Sequence, residues 1–250
     1  MGEPIASVGQ RAGHESAHAG AVRDMFQRIA PTYDLLNRLL SAGFDQRWRR
    51  EAVDALEGAP PGELLDLCAG TLDLSQAIER RFPERPLRAI DFAADMLARG
   101  RHKVRHARVE VGDAMALDVP AATFAGCICG FGLRNLSDPH KGLAEIRRVL
   151  LPGGRLVVLE FFRPAGGLLG AATRSFHTVY ARGVLPLAGK IVADDRDAYA
   201  YLARSMASFL TRGEAEQALR DLGFQHVHGV DLAPLGVASL LVADAPRGAS

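Results

Sequence analysis

The sequence predicts an α/β fold, a parallel sheet with helices on both faces. Three observations carry this. Short apolar runs alternate with amphipathic stretches from residue 63 to residue 162, the pattern of repeated strand–helix units. Carboxylates and glycines fall at the ends of these runs, where open parallel sheets bind ligands. The run 123–130 is apolar on both faces, as a central strand must be.

Each element follows from local sequence. Residues 1–18 are rich in Gly, Ala, Ser and His without apolar periodicity and predict a disordered tail. Residues 19–60 form a helical cap on a single domain spanning 19–250. Met25, Ile29, Leu35, Leu36, Leu39 and Leu40 recur at helical spacing, interrupted at Pro31 and near Gly43. The run RWRR (47–50) reads as the solvated face of a helix with Trp48 turned inward. GAPPG (58–62) is a boundary.

Strands are predicted at 63–68, 86–91, 107–112, 123–130 and 155–162, with helices at 73–81, 93–104 and 138–150. Pro152, Gly153 and Gly154 end the last of these helices. Residues 163–210 break the alternation as an apolar helical insertion or lid. Thr211 predicts an N-cap for a helix to Leu222, with Glu214 completing a capping box. Two further strands are expected at 224–231 and 236–243.

Composition excludes several classes. In 250 residues, 30 Lys and Arg meet 29 Asp and Glu. That balance lacks the basic surplus of a nucleic-acid binder. Three cysteines make no disulfide framework. Cys127 and Cys129 share a strand without further ligands at metal spacing, so they read as buried apolar residues and no metal is expected. His226 and His228 likewise read as structural. No N-terminal apolar leader and no uncharged apolar run of membrane-spanning length occurs, which points to a cytoplasmic protein.

The stretch LLDLCAGTLDLS (64–75) carries the chemistry. A strand ends near Asp66, a turn holds Gly70 and Thr71, and a helix opens at Asp73. The dinucleotide fingerprint needs two or three glycines to approach a pyrophosphate. Only Gly70 is present, which disfavours a nicotinamide dehydrogenase. Asp91, 21 residues beyond Gly70, can accept hydrogen bonds from two ribose hydroxyls. Asp113 ends the third strand and Gly130 the fourth. An adenosine cofactor without phosphate fits this set, and S-adenosylmethionine is such a cofactor.

Longer stretches carry a resemblance. MFQRIAPTYDLLNRLLSAGFDQRWRR (25–50), AIDFAADMLARGR (89–101), GFGLRNLSDPHKGLAEIRRVLLPGGRLVVLEFFRP (130–164) and VLPLAGKIVADDRDAYAYLARSM (184–206) resemble the quinone C-methyltransferases of menaquinone and ubiquinone biosynthesis. The resemblance runs from about residue 22 to the end. It implies a Rossmann-like class I methyltransferase fold with seven strands, the last antiparallel. It also implies S-adenosylmethionine contacts at Thr71, Asp91, Asp113 and Ala114, with Asp66, Gly70 and Gly130 beside them. The family loop usually reads D-x-x-x-G-T-G-D. Here Leu72 stands at its second glycine, and Gly130 at a position that is often serine. A positive φ at Leu72 would strain it; a negative φ would let it pack on the following helix.

The resemblance implies methylation of a ring carbon of a polyprenylated quinol, a naphthoquinol or a benzoquinol. Loss of a hydroxyl proton drives charge onto that carbon. Arg134 is expected to hold the phenolate or a water, with Asn135 orienting the same oxygen. A salt bridge pinning the loop is the structural alternative for Arg134. Tyr33 is placed to close over the cofactor, Tyr180 lines the substrate pocket, and His177 is a further pocket candidate. Both tyrosines are equally core aromatics. The apolar insertion suits a prenyl tail and a peripheral contact with the inner membrane face; a homodimer stays open. Two rivals stand: a methyltransferase of another phenolic molecule, and a non-catalytic relative that binds quinone or a partner protein.

Overall fold

The computed structural model describes residues 43–164, 204–232 and 237–247, together with Gly20, Val22, Asp24, Met25, Arg28, Arg38, Ser41 and Tyr201. The expected tail lies outside the described residues, as do 165–200, 202 and 203 of the expected insertion.

Seven strands form one sheet: β1 (Leu64–Leu67), β2 (Leu87–Asp91), β3 (Arg108–Val111), β4 (Phe124–Gly130), β5 (Leu150–Glu160), β6 (Gln225–Asp231) and β7 (Ser239–Asp244). Their order is β3-β2-β1-β4-β5-β7-β6. The first five are parallel, and β7 runs antiparallel to both β5 and β6. β4 is the middle strand, and Phe124, Cys127, Ile128 and Cys129 are fully buried on its two faces.

Five α-helices lie among the described residues: α1 (Asp45–Asp54), α2 (Asp73–Arg81), α3 (Ala94–Gly100), α4 (Pro139–Val149) and α5 (Arg212–Asp221). α2 begins and ends where the sequence predicts. α3 gives way to a 3-10 turn at Arg101–Lys103, so the predicted helix 93–104 is only partly α-helical. α5 carries the expected capping box, Thr211 and Glu214 bonding each other's backbone N–H. Glu79 of α2 accepts hydrogen bonds from the N–H groups of Arg105, His106 and Ala107, which docks the entry to β3 on α2.

The start of β5 corrects the prediction. Pro152, Gly153 and Gly154 do not separate helix from strand. α4 ends at Val149, and Leu150 already pairs with Phe124. Pairing resumes with Arg155 opposite Gly126, so the prolyl-glycyl segment is a bulge within the strand. Gly153 sits there at φ +73°, a backbone that favours glycine.

In α1, Trp48 is buried as expected while Arg47 and Arg50 face solvent. Arg49 does not share that solvated face. It lies half-buried between Asp45 and Asp73, at 3.6 and 3.7 Å. Trp48 meets Phe161 edge-on at 6.0 Å, and Phe161 packs on Phe131 at 4.6 Å. These rings tie α1 to the loops at the carboxyl ends of β4 and β5, where the candidate site lies.

Candidate functional site

The loop after β1 is built from alternating left-handed residues. Cys68, Gly70 and Leu72 have φ of +59°, +52° and +63°. Leu72 therefore carries the strain anticipated for positive φ, roughly 1–2 kcal/mol. Its side chain is fully buried with Leu74, Ile78 and Leu97, which offsets that cost by about 1.5–3 kcal/mol. It borders none of the three cavities described below. The second departure, Gly130, has a packing reason. A Cβ there would lie 2.4 Å from Leu74 Cδ1, so Leu74 fills the space that a serine side chain would enter.

The 21-residue spacing between Gly70 and Asp91 is realised as a contact. Asp91 Oδ2 accepts from Gly70 N at 2.9 Å, and Oδ1 accepts from Ala93 N at 2.8 Å. The carboxyl is buried, and desolvation raises its pKa, opposed by the backbone donors. Each oxygen retains a lone pair for a ligand hydroxyl. A cavity of about 210 Å³ opens beside it, bordered by Asp91, Asp113, Ala114 and Asn135. A smaller cavity bordered by Gly70, Gly130 and Asn135 shares Cys68 and Asp91 with it. Asp113 is exposed, with Oδ1 accepting from Met115 N at 2.8 Å.

Asp66 and Thr71 sit behind these walls rather than in them. Thr71 is buried, and its carbonyl packs on Gly100, where a Cβ would come within 2.2 Å. Asp66 is wholly buried, and its Oδ2 accepts from Ser75 at 2.5 Å. Its Oδ1 makes no hydrogen bond among the described residues. Burial raises its pKa to about 7, opposed by Ser75 and Arg49. Lys103 bonds Asp73 at 2.6 Å, completing a charged rim at the start of α2. The Cys68 thiol hydrogen-bonds Cys129, which together with burial raises its pKa.

The loop after β4 is held differently. Arg134 and Glu160 form a buried ion pair, Nη1 to Oε1 at 2.5 Å, with side chains 6% and 0% exposed. Arg134 Nη1 also donates to Phe131 O at 3.0 Å. Glu160 Oε1 accepts further from Phe161 N at 2.8 Å. The pinning role anticipated as the alternative for Arg134 is thus present. Asn135 Nδ2 donates to Phe131 O at 3.0 Å, and Tyr201 Oη donates to Asn135 Oδ1 at 3.2 Å. Burial raises the Tyr201 pKa. Arg134 and Tyr201 border a further cavity of about 480 Å³ that also reaches Ser205 and Phe209.

Among the expected site residues, Gly70, Asp91, Asp113, Ala114, Gly130 and Asn135 come together around the two smaller cavities. Arg134 faces the larger one. Tyr33, His177 and Tyr180 lie outside the described residues. Glu160 and Tyr201 were not anticipated. Glu160 carried a signal, since an acid ending the run VVLE in a central strand needs a partner when buried. Tyr201 carried none beyond its place in the quoted stretch 184–206.

The sequence model of the ubiE/COQ5 methyltransferase family matches residues 13–243. The chain belongs to this family. It is 44% identical over 227 residues to the demethylmenaquinone methyltransferase of Thermus thermophilus, covering 89% of this chain and all of that one. It is 41% identical over 228 residues to the protein of the same name from Deinococcus radiodurans, covering 90% and 92%. The fold matches a S-adenosylmethionine-dependent methyltransferase structure from Thermotoga maritima, with TM-score 0.61 at 17% identity, covering 89% and 99%. The architecture is the Rossmann-like class I methyltransferase fold, and the chain is a methyltransferase that uses S-adenosylmethionine. The cavity chemistry suits that cofactor. Two carboxylates, Asp91 and Asp113, border it; they match hydroxyl and amine donors and would repel a pyrophosphate. Among the described residues no group of metal-ligating side chains occurs, and no helix is long and apolar enough to cross a membrane.

Proposed function

We propose that the chain methylates a ring carbon of a polyprenylated quinol, a demethylmenaquinol first and a ubiquinol-pathway benzoquinol second. The names of its relatives support the substrate class. The observation that carries the reading is Asn135. It borders the carboxylate-lined cavities and hydrogen-bonds Tyr201, which borders the larger one. Cofactor and substrate spaces meet at this amide.

Bound S-adenosylmethionine supplies an electrophilic sulfonium methyl group. In this reading Asp91 holds the ribose hydroxyls, and Asp113 with Ala114 receives the adenine. Gly70 lets backbone approach the cofactor closely, and Gly130 borders the same space with Leu74 packed against it. Asp66 and Thr71 support the loop from behind. The substrate ring occupies the larger cavity. Arg134 remains charged at neutral pH and cannot act as a base. Its Nη1 is spent on Glu160 and Phe131, so its remaining donors steady the oxyanion of the deprotonating quinol. Its paired charge makes it an aligned donor more than a free cation. Leu136 and Phe209, which border the larger cavity, keep water from the ring.

The prenyl tail leads out past Ser205 and Phe209, at the end of the 163–210 insertion. The same proposal places the protein in the cytoplasm with a peripheral membrane contact, because a prenyl tail partitions into lipid. A non-catalytic relative would rest on the two departures from the family pattern, Leu72 and Gly130; Leu72 is buried in the core and Leu74 fills the space beside Gly130, so neither supports that reading.

The test is quinone mass spectrometry of cells lacking the protein, paired with turnover of a short-tailed demethyl-naphthohydroquinone by the purified chain. Accumulated demethylated quinone and methyl transfer in vitro are expected. An unchanged quinone pool with no transfer to this hydroquinone or to a short-tailed benzohydroquinone assayed beside it would reject the substrate.

A further inference from the structure

We infer that Arg204 holds the second oxygen of the quinol ring, the one beside the prenyl tail, and thereby sets which ring carbon faces the methyl donor. This rests on the quinol reading above and names the residue that orients the ring within it.

Two guanidinium groups border the cavity of about 480 Å³, and they are held differently. Arg134 is buried and spends Nη1 on Glu160 and on the Phe131 carbonyl. Arg204 is exposed, and among the described residues its guanidinium makes no ion pair and no hydrogen bond. Its carbonyl, not its side chain, receives the Ser208 hydroxyl at 3.0 Å. No Asp or Glu borders this cavity among the described residues. The charge and the five donors of Arg204 are therefore uncommitted at the cavity rim.

The backbone that carries Arg204 is firmly placed. Residues 204–208 are helical, and Arg204 and Ser208 lie one turn apart on a common face, both bordering the cavity. This turn ends at the buried Phe209, which stacks on Phe162 at 5.7 Å. The Phe209 carbonyl also accepts from Arg163 Nε at 3.1 Å. Phe162 and Arg163 closely follow Glu160 in the chain. The carboxyl end of β5 thus anchors both guanidinium groups, Arg134 through Glu160 and the Arg204 turn through Phe162 and Arg163.

In a demethylated 1,4-quinol the carbon that accepts the methyl and the carbon that carries the tail are neighbours, and one oxygen flanks each. Arg134 takes the oxygen beside the reacting carbon. The tail leaves past Ser205 and Phe209, and Ser205 adjoins Arg204 in the chain. The second oxygen therefore lies on the Arg204 side. A ring turned end for end would drive its tail against the buried Arg134. A ring without the second oxygen leaves the Arg204 donors to water. Arg204 acts in this way as a specificity residue for rings oxygenated at both positions.

The experiment is anaerobic calorimetry of the full-length protein saturated with S-adenosylhomocysteine. The two ligands are 2-prenyl-1,4-naphthohydroquinone and 3-prenyl-1-naphthol, which lacks only the oxygen beside the tail. Wild type is expected to bind the hydroquinone about tenfold more tightly, the size of one charge-assisted hydrogen bond in contact with water. Arg204→Met should remove the preference by weakening the hydroquinone about tenfold while leaving the naphthol unchanged. Arg204→Lys should restore part of it, since the charge remains and the planar fork is lost. A preference that persists in Arg204→Met overturns the inference. An equal loss for both ligands also overturns it, because Arg204 is then structural. Wild type that binds both ligands equally overturns it as well, and leaves the quinol reading standing. Wild type that binds neither overturns the substrate class itself, and the inference with it.

Discussion

The loops after β1 and β4 meet at one site but are held by opposite means. The β1 loop is anchored by backbone conformation and apolar burial: three left-handed residues, with Leu72 sunk in the core. The β4 loop is anchored by charge: Arg134 buried against Glu160, a partner 26 residues away. The first arrangement is written in adjacent residues. The second depends on a strand that arrives later. The β1 loop should therefore absorb substitution gradually, while the β4 loop should fail when one ion loses its partner.

Glu160→Ala gives the sharpest contrast. It strands the Arg134 guanidinium at a 6% exposed site, and losing one member of a buried pair costs about 3–5 kcal/mol. Urea denaturation should show a loss of that size. A loss under about 1 kcal/mol would mean that the pair is solvated and that the two loops are not held differently. Arg134→Lys, which keeps a cation beside Glu160 but loses the remaining guanidinium donors, should cut turnover sharply with cofactor binding nearly intact, read by calorimetry beside the assay.

Asp66→Asn probes the polar group buried behind the β1 loop. The folded carboxyl has a pKa of about 7, against 3.8 for an exposed aspartate. The native state therefore binds more protons than the unfolded chain between those values, and stability falls as pH rises from about 4 to about 7. The full cost, on the order of 4 kcal/mol, applies above pH 7. The difference in stability between Asp66→Asn and wild type should widen over that range. A difference that does not change with pH would show the carboxylate to be well compensated.

Leu72→Gly should destabilise by about 1–3 kcal/mol. The lost burial outweighs the relieved strain. Cofactor affinity should be unchanged, since the side chain borders no cofactor cavity. A strong rise in affinity would show that the leucine distorts the loop. Lys103→Met is the smallest change, under about 1 kcal/mol and less in high salt, because Asp73 keeps Arg49 nearby. Thermal melts at two ionic strengths measure it.

The same contrast explains what could be read in advance. The strand alternation, the Gly70–Asp91 spacing and the Thr211–Glu214 cap are local patterns, and the structure realises each. The conformation of Leu72 was open because a single φ depends on packing that the residue itself does not encode. Glu160 and Tyr201 escaped because they reach the β4 loop from positions 26 and 66 residues away, a closeness that only the folded sheet creates. Arg49 was placed on a solvated face because helical spacing shows which residues share a side, not which neighbour waits beyond it.

The bulge at Pro152 and Gly153 has a practical consequence. It lies at the amino end of β5, opposite the cavities, and Pro152 is exposed. Beyond it, consecutive pairings from Gly126–Arg155 to Gly130–Leu159 reset the register before the chain reaches Glu160. Extra residues spliced between Pro152 and Gly153 would be absorbed as slack in the chain. That makes the bulge an attachment port for a reporter or a surface tether, far from the chemistry.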